Sequence, residues 1–398
     1  MHLGRTDMFK VHCMNNISKV GTNRLGDRYE FTSELADANA ILVRSARLHD
    51  IELPKELLAI ARAGAGVNNI PLDRCAESGI VVFNTPGANA NAVKELVLCG
   101  MLLACRDIIG GIDWVRANSD DPEVGKKAEK AKKQFAGCEL AGKTLGVIGL
   151  GAIGAAVANA ALSLGMRVLG YDPYLSINAA WSLDRNIKHV TDVNELYSNA
   201  DFITIHVPAT ADTKGMIGAD EIALMKRGAV VLNLARDVLV DEQAMAEALD
   251  DGHIARYVTD FANPASTNMR NAIVTPHLGA STGEAEDNCA IMAVNELKDY
   301  LENGNIVHSV NFGAVDLGPI AADGRIAVFH HNAQGMLGKI TQCVADSDLN
   351  IENMSNKSRG AYAYTLIEVS GTPEAADTVV EKVAQLPDVM RVRTIARA

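Results

Sequence analysis

The sequence of 398 residues lacks the features that mark several classes of protein. Its most apolar early run, residues 96–105, has about half the length that a membrane span requires. Residues 1–20 are mixed and polar, without the apolar segment of a secretory signal. The sequence has only 37 basic residues against 49 acidic residues, so its formal net charge is −12. Because such a chain repels phosphate backbones and anionic lipids, we expect neither a nucleic-acid partner nor a membrane partner.

The cysteines do not form a metal-binding or disulfide pattern. They are scattered, odd in number and never spaced Cys-x-x-Cys, at Cys13, Cys75, Cys99, Cys105, Cys138, Cys289 and Cys343. Neither a zinc site nor a disulfide framework is therefore predicted, and no metal is expected. We interpret these cysteines as buried small hydrophobes in a reducing compartment, so the expected location is the cytoplasm.

The sequence does contain enough apolar material for two or three domains, with 48% hydrophobic and 22% charged residues. In the first third, apolar runs at 41–43 and 80–83 predict buried strands between helical patterns, and a long helix is predicted over 90–117. A second block of strands and helices begins near Leu145. Strands that alternate with helices form parallel sheets covered on both faces, so the predicted class is α/β.

The pattern changes from Arg325 onward. Strands are predicted at 325–330, 351–354, 362–369 and 389–395, with helices at 336–347 and 373–384. This βαββαβ order predicts a small ferredoxin-like module. Residues 307–320, which contain glycine and proline, are predicted to form a linker before it.

The strongest local motif is Gly149-Leu-Gly151-Ala-Ile-Gly154, which follows one predicted strand and opens a helix. Gly149 permits a tight turn, Gly151 lets the backbone approach a pyrophosphate, and Gly154 lets the helix pack closely on the strand. The helix N-terminus supplies N–H groups and a positive partial charge to phosphates. A tight turn without a ligand remains the alternative.

The next predicted strand ends in Asp172, which can accept hydrogen bonds from the ribose hydroxyls of adenosine. A 2′-phosphate would meet a like charge there, and no arginine follows directly. We therefore expect NAD rather than NADP as the cofactor.

At this point the sequence resembles the D-isomer-specific 2-hydroxyacid dehydrogenases over nearly its whole length. The shared motifs occur in the family order at residues 43–45, 62–70, 83–90, 149–154, 206–208, 233–236 and 275–282. The resemblance implies two Rossmann-like doubly wound parallel-sheet domains and a C-terminal βαββαβ module of the ACT type. It assigns residues 1–88 and 282–318 to a substrate-binding domain, 89–281 to an NAD-binding domain, and 322–398 to the ACT regulatory domain.

The resemblance also implies roles in hydride transfer. Arg236 would hold the substrate carboxylate, because a guanidinium can fork onto a carboxylate with two hydrogen bonds. His277 would exchange the hydroxyl proton, and Asp260 would hold the nicotinamide carboxamide. A surface ion pair between Arg236 and Asp237, a structural histidine and a turn-forming Asp260 remain alternatives. Further cofactor contacts are expected from Ala152, Ile153, His206, Pro208, Leu234, Ala235, Gly279 and Ala280.

Two departures from the family pattern occur near these residues. The family usually places a glutamate beside the catalytic histidine, a few residues after the aspartate, whereas here Asn263 stands near that place. We count Asn263 among the catalytic residues, although an amide orients a ring without supplying a charge. Glu284 or Glu286 could substitute from the following helix. Asp237 replaces a common glycine, and aspartate tolerates left-handed turns.

Ligand-binding residues are implied in two other places. Arg44 and Arg62 match arginines that bind the substrate phosphate, with the backbone at Ala65, Gly66 and Asn89 in the same pocket. In the ACT module, His330, Asn332 and Asn350 match positions that contact L-serine in regulated members. The Ala333-Gln334-Gly335 segment departs from the typical Pro-Gly pair, and an oligomerisation module without a ligand remains open.

The resemblance implies oxidation of 3-phospho-D-glycerate to 3-phosphooxypyruvate with NAD, the first step of L-serine biosynthesis. Alternatives are another D-2-hydroxyacid dehydrogenase, such as a glyoxylate or hydroxypyruvate reductase, and a non-catalytic sensor of NAD or amino acids. The presence of both Arg236 and His277 favours an enzyme. The long helices and the ACT-like module indicate a homodimer or homotetramer.

Overall fold

The computed structural model describes residues 8–397, apart from the side chain of Asn178. The described chain forms two compact units. One comprises the residues up to Asn89 together with those from Gly283 onward, and the other is Ala90–Thr282. None of the helices in the described range is both long and apolar enough to cross a membrane.

The secondary-structure elements are numbered here in chain order. The strands are β1 (Phe9–Cys13), β2 (Tyr29–Phe31), β3 (Ala40–Val43), β4 (Ala59–Arg62), β5 (Val81–Phe83), β6 (Thr144–Ile148), β7 (Arg167–Tyr171), β8 (Lys188–His189), β9 (Phe202–Ile205), β10 (Ala229–Asn233), β11 (Ile254–Thr259), β12 (Ala272–Val274), β13 (Gly324–His331), β14 (Asn350–Arg359), β15 (Tyr362–Ser370) and β16 (Val389–Ala396). The α-helices are α1 (Lys19–Thr22), α2 (Leu72–Glu77), α3 (Ala90–Cys105), α4 (Ile108–Ala117), α5 (Val124–Ala131), α6 (Ala152–Ser163), α7 (Ile177–Trp181), α8 (Val193–Asn199), α9 (Ala219–Leu224), α10 (Glu242–Asp250), α11 (Gly283–Asn303), α12 (Met336–Ala345) and α13 (Pro373–Ala384).

The unit Ala90–Thr282 is built on a seven-stranded sheet in the order β12-β11-β10-β9-β6-β7-β8, in which every pairing is parallel. Strands β6, β9 and β10 are buried along their whole length, because helices cover both faces. The strand order reverses between β6 and β9. In open α/β sheets, ligands bind beyond the carboxyl ends of the strands at such a point.

The other unit contains two sheets. The first is parallel, in the order β2-β1-β3-β4-β5, and the second is antiparallel, in the order β14-β15-β13-β16. Helices α12 and α13 cover one face of the second sheet around residues such as Ile340 and Val383. Two parallel-sheet folds and a βαββαβ module therefore occur as predicted, which confirms the predicted fold class.

The antiparallel sheet does not stand apart from the first one. Its other face shares a hydrophobic core with α11, in which Tyr300, Phe312, Phe329 and Tyr364 are fully buried. The predicted linker at 307–320 is an ordered part of this packing, since the N–H of Val310 donates to the β5 backbone over 2.9 Å. Phe312, Val315 and Ile320 of that segment are core residues, so its interpretation as a linker was wrong.

Other local predictions also needed correction. The long helix predicted over 90–117 is broken into α3 and α4, because the Asp107 side chain accepts a hydrogen bond from the N–H of Gly110 and starts a new helix. The short strands β1, β2, β4 and β8 were not predicted. The cysteines were interpreted as buried, but Cys99 and Cys138 are exposed.

Helix α11 carries a mostly buried acid next to a histidine. The Glu296 side chain is 10% exposed, and one of its carboxylate oxygens contacts Nδ1 of His308. Burial raises the pKa of Glu296 to about 8 and lowers the pKa of His308. The Glu296 carboxyl loses its proton at a lower pH in the unfolded chain than in the folded one. Its contribution to the free energy of unfolding therefore falls as the pH rises. That contribution is complete below the ordinary pKa of 4.5 and is lost as the pH passes about 8.

We expect Glu296→Gln, which keeps the shape of the neutral acid, to remove this pH dependence. Relative to the wild type, the variant should gain on the order of 1–3 kcal/mol of unfolding free energy between about pH 5 and pH 8.5. Urea denaturation at the two pH values measures this difference. Glu284→Gln, an exposed change on the same helix, should follow the wild type. Parallel pH profiles for the wild type and Glu296→Gln would contradict the analysis.

Candidate active site

The candidate cofactor and catalytic residues of the second unit follow the carboxyl ends of its parallel strands. In the sheet register, Asn233 of β10 pairs with Thr259 of β11, which pairs with Val274 of β12. Asp260 follows β11 directly, and Arg236 and His277 each lie three residues beyond the paired positions. Parallel pairing therefore places all three residues at one edge of the sheet.

The glycine-rich loop has the geometry that its sequence predicts. Gly149 has a φ of +89°, and a β-carbon there would lie 2.7 Å from the His206 carbonyl oxygen. A β-carbon on Gly154 would lie 1.8 Å from the Gly149 carbonyl oxygen, so this helix–strand contact requires glycine. Gly151, the N-cap of α6, faces open space and has no side-chain cap. Ala152 is exposed and Ile153 half-buried, so the helix N-terminus is accessible to a phosphate.

Asp172 lies directly after β7 and is held beside this loop. One carboxylate oxygen accepts from the N–H of Leu150 over 2.9 Å, and the other accepts from the N–H of Tyr174 over 2.9 Å. A carboxylate has about four acceptor positions, so both oxygens can still accept from ribose hydroxyls. The loop and this carboxylate together fit a dinucleotide.

His206 and Pro208 follow β9, next to the point where the strand order reverses. Burial lowers the pKa of His206 to about 4, so this imidazole is neutral at physiological pH. Its Nε2 lies 2.9 Å from the Thr204 hydroxyl. Pro208 is exposed, and its carbonyl accepts from the Thr213 hydroxyl over 2.7 Å. A neutral His206 can line a cofactor site without adding charge.

Buried Asn233 shapes the turn that presents Arg236. Its side-chain oxygen accepts from the N–H groups of Ala235 and Arg236 over 3.2 and 3.3 Å, and its amide donates to the Arg236 carbonyl over 2.8 Å. Leu234 is buried and Ala235 half-buried, whereas Arg236 is exposed. Within residues 8–397 the Arg236 guanidinium donates to the Ala235 carbonyl over 2.6 Å, and no ion pair joins it to Asp237. The positioning role of Asn233 was not predicted from the sequence.

Asp260 is 1% exposed, and its carboxylate organises the loop after β12. Oδ1 accepts from the Thr275 hydroxyl over 2.6 Å and from the N–H of Leu278 over 2.7 Å. Oδ2 accepts from the N–H of Gly279 over 2.7 Å, and a β-carbon on Gly279 would lie 3.0 Å from this oxygen. Because these three donors occupy both carboxylate oxygens, they favour the interpretation of Asp260 as a turn-forming residue over its interpretation as the ligand of the nicotinamide carboxamide. Gly279 is buried and Ala280 half-buried behind this turn.

His277 has a backbone conformation that is unusual for its type. Its φ is +58°, in the left-handed region, and its N–H donates to the Asp260 carbonyl over 3.0 Å. The imidazole is exposed and meets the Phe261 ring edge-on, with 5.2 Å between centroids. Strained backbone at an exposed titratable side chain points to function rather than to packing. Asp237, by contrast, is not left-handed.

Asn263 has other partners than His277, which it was expected to orient. Its amide donates to the Glu242 carboxylate over 2.5 Å, and its side-chain oxygen accepts from the N–H groups of Ala265 and Ser266 over 2.9 Å each. In the described structure, both ends of this amide therefore stabilise the turn after β11. The ring contact of His277 comes from Phe261 instead, a partner that the sequence analysis did not consider.

In the other unit, the two arginines predicted to bind phosphate are linked to each other. Nε of Arg62 donates to the Arg44 carbonyl over 2.9 Å, and its Nη1 contacts the Gly66 carbonyl. The Arg44 guanidinium pairs with Glu286 over 2.6 Å and is 41% exposed. Asn15, which the sequence analysis missed, accepts from the Arg44 N–H over 2.9 Å. Arg62 thus supports the loop, whereas Arg44 presents its charge at the surface.

Ala65, Gly66 and Asn89 complete the residues assigned to substrate binding. Ala65 is exposed, and its carbonyl accepts from the Asn84 amide over 2.6 Å. Among the residues described, the buried side-chain oxygen of Asn89 has no hydrogen-bond partner. A buried acceptor without a donor costs free energy, which sets Asn89 apart from the other residues assigned to this pocket.

The three candidate effector residues do not converge within one chain. His330 is 3% exposed, and its Nε2 lies 2.9 Å from the Thr365 hydroxyl. Asn332 and Asn350 are exposed. His330 pairs with Ala363 in the sheet and Asn350 with Ser370, which separates them by about 24 Å at 3.4 Å per strand residue. Burial lowers the pKa of His330, so this histidine is neutral.

Comparisons with known proteins agree with this geometry. The model for the D-isomer specific 2-hydroxyacid dehydrogenase NAD binding domain matches residues 98–279, and the AHAS small subunit-like ACT domain matches 326–391. The NAD+-bound 3-phosphoglycerate dehydrogenase of Entamoeba histolytica superposes with a TM-score of 0.60 at 27% identity, over 76% of this chain and 99% of that one. A glyoxylate reductase from Paecilomyes thermophila gives a TM-score of 0.62 at 25% identity, over 76% and 98%. The predicted NAD cofactor and ACT module are confirmed.

Curated relatives extend the comparison over most of the chain. The D-3-phosphoglycerate dehydrogenase of Methanocaldococcus jannaschii is 38% identical over 334 residues, which is 81% of this chain but only 60% of that protein. The D-3-phosphoglycerate dehydrogenase of Escherichia coli K12 is 31% identical over 387 residues, covering 93% of this chain and 90% of that protein. The resemblance in the motifs is thus confirmed, and the chain belongs to the D-3-phosphoglycerate dehydrogenases, a group of the NAD-binding D-isomer specific 2-hydroxyacid dehydrogenases.

Proposed function

We propose that this chain oxidises 3-phospho-D-glycerate to 3-phosphooxypyruvate with NAD, as the first step of L-serine biosynthesis. The observation that carries the proposal is the exposed, left-handed His277 held by Asp260 at the same sheet edge as Arg236. The names of the relatives support the choice of substrate.

The residues at the sheet edge fit the dinucleotide. The open backbone at Gly151 and the uncapped N-terminus of α6 would hold the pyrophosphate, and Asp172 would hold the adenosine ribose. When bound, NAD supplies the acceptor for the substrate hydride. Neutral His206 and the turn at 234–235 would line the same site.

The chemistry of the chain itself is proton transfer and charge stabilisation. His277 accepts the proton of the substrate hydroxyl through its exposed imidazole, and Phe261 limits how the ring can rotate. Arg236 binds the carboxylate and stabilises negative charge on the oxygen that becomes a carbonyl. Asp260 acts as a positioning residue, since its carboxylate accepts from the Thr275 hydroxyl before the histidine and from the N–H groups of Leu278 and Gly279 after it.

The remaining assignments extend this proposal. Residues 1–88 and 282–318 serve as the substrate-binding domain, in which Arg44 and Arg62 receive the phosphate. Residues 89–281 serve as the NAD-binding domain, and 322–398 as a regulatory ACT domain that binds L-serine. Because His330 and Asn350 lie far apart in one chain, a site that uses both requires a second copy, which supports a homodimer or a homotetramer. A reducing cytoplasm suits the seven free cysteines.

The reaction is tested by NADH formation with 3-phosphoglycerate, D-lactate and D-glycerate. We expect turnover of 3-phosphoglycerate alone. His277→Ala should lower kcat by about 10²–10⁴-fold, because the general base is lost. Arg236→Lys should raise the KM by about tenfold or more, because an ammonium cannot fork onto a carboxylate.

His189→Gln and Arg227→Lys serve as matched controls. Both residues are exposed, and neither follows the carboxyl end of a strand at the site. They should leave the kinetic constants unchanged. Preferential turnover of D-lactate or D-glycerate would replace the substrate assignment, and full activity of His277→Ala would remove the histidine from the mechanism.

The ribose contact predicts the choice of cofactor. We expect the wild type to prefer NAD over NADP in kcat/KM, because the Asp172 carboxylate repels a 2′-phosphate. Asp172→Asn keeps an acceptor for the Leu150 N–H but loses the charge, so the NAD-to-NADP preference should fall by about tenfold. Asp212→Asn, an exposed change after β9, should preserve it. An unchanged preference in Asp172→Asn would refute the charge argument.

The regulatory assignment predicts inhibition by L-serine. Asn332→Ala and Asn350→Ala should each weaken inhibition by about tenfold or more, since each removes hydrogen bonds to a small charged ligand. Asn353→Ala, a nearby exposed position on β14, should not. Initial rates across a serine titration give these values. If serine leaves the rate of the active enzyme unchanged, the module has no role for that ligand, and the dehydrogenase assignment is unaffected.

A further inference from the structure

Two cysteines that the proposed reaction does not use lie side by side in the unit Ala90–Thr282. Cys105 is the last residue of α3 and is 7% exposed, whereas Cys138 lies before β6 and is exposed. The N–H of Cys138 donates to the carbonyl of Cys105 over 3.1 Å. Burial and then a hydrogen bond with the Cys138 thiol raise the pKa of Cys105 to about 12. The backbones of the two cysteines are therefore in direct contact.

The backbone places these sulfurs within reach of a covalent bond. The standard bond lengths on either side of this hydrogen bond limit the separation of the two α-carbons to at most about 7 Å, and disulfides join α-carbons roughly 4.4–6.8 Å apart. A β-carbon on Gly137 would lie 1.8 Å from the Cys105 carbonyl oxygen. Only glycine at 137 lets the segment approach the end of α3 this closely, so the pairing is a property of the fold.

The two cysteines also differ in the way that a redox pair requires. Exposed Cys138 can meet a dissolved oxidant, and buried Cys105 is protected from it. The positive charges of Arg106 and Lys143 act on Cys105 and favour its thiolate, which opposes part of the effect of burial. Thiolates are the species that attack an oxidised sulfur. Because burial keeps Cys105 mostly protonated, its attack on an oxidised Cys138 relies on the proximity that the fold imposes rather than on a large thiolate fraction.

We propose that Cys105 and Cys138 form a reversible disulfide when the protein meets a hydroperoxide. The Cys138 sulfur attacks the peroxide O–O bond and becomes a sulfenic acid, and with hydrogen peroxide one water is released. The Cys105 sulfur then attacks that sulfur and displaces the hydroxyl, which leaves with the thiol proton as a second water. The two thiols lose two electrons to the peroxide. A dithiol reductant restores them by thiol–disulfide exchange.

The bond would join two parts of the dinucleotide-binding core. Cys105 packs in the same cluster as Val97 and Leu140, and the segment after Cys138 enters β6 just before the glycine-rich loop. The linkage would close a loop over residues 106–137, which contains α4 and α5. Closing a loop restricts the unfolded chain, so the oxidised form should melt at a higher temperature than the reduced form.

The test exposes the full-length protein to hydrogen peroxide, blocks free thiols with N-ethylmaleimide, and measures intact mass and tryptic peptides. We expect the loss of two hydrogen atoms, two fewer alkylated thiols, and a link between peptides 95–106 and 134–143. Dithiothreitol should reverse all three changes. The melting temperature should rise on oxidation by several degrees.

Cys138→Ser, an exposed change, should abolish both the link and the temperature shift. The matched control is Cys99→Ser, which removes another exposed thiol on α3 from the same tryptic peptide as Cys105 and should leave the link intact. Oxidation of Cys138 to sulfinic acid with Cys105 still alkylated would overturn the proposal. So would a disulfide between two chains, or the loss of two hydrogens in Cys138→Ser. None of these readouts depends on the dehydrogenase activity.

Discussion

The carboxylate of Asp260 is the group on which the loop after β12, and with it the candidate active site, depends. It accepts hydrogen bonds from two backbone N–H groups and one hydroxyl of the loop after β12. The backbone carbonyl of Asp260 also accepts a hydrogen bond from the N–H of His277. Each hydrogen bond to a charged group contributes about 1.5–3 kcal/mol. The three hydrogen bonds to the carboxylate together exceed the cost of about 1–3 kcal/mol for holding a non-glycine residue in the left-handed region. A buried charge, satisfied by its neighbours, thus maintains a strained and exposed histidine.

The parallel sheet explains why such distant residues act together. Every strand of the second unit ends at the same edge, so loops that are far apart in sequence follow neighbouring strands. The glycine-rich loop after β6, His206 after β9 and the Asn233 turn after β10 lie in this arrangement. The reversal of strand order between β6 and β9 leaves space for a ligand where helices diverge to opposite faces. The convergence of the candidate binding and proton-transfer residues is therefore a consequence of topology as much as of residue type.

The ACT module is integrated into its unit rather than attached by a free tether. Phe329 and Tyr364 of its sheet belong to the core that also contains α11. The buried Arg325–Glu368 ion pair, at 3.0 Å, lies where the module meets the preceding segment. Arg325 also donates to backbone carbonyls such as those of Asn303 and Gly318, so its buried charge has several partners. Such an interface makes the module and α11 one packed body. A ligand on the module would consequently act on an element shared with the rest of the unit.

The sequence by itself determined the features that depend on local spacing. The Gly149–Gly154 motif, the buried strands around it, Asp172 and the βαββαβ order were all predicted, because turns, periodicity and helix starts are written in neighbouring residues. Tertiary structure decided the partners. It placed the Asn263 amide against the Glu242 carboxylate and the His277 ring against Phe261. It also joined the backbone of His277 to Asp260 and that of Cys138 to Cys105. These contacts join segments whose approach depends on packing across the sheet and on glycines such as Gly137, so no local pattern records them.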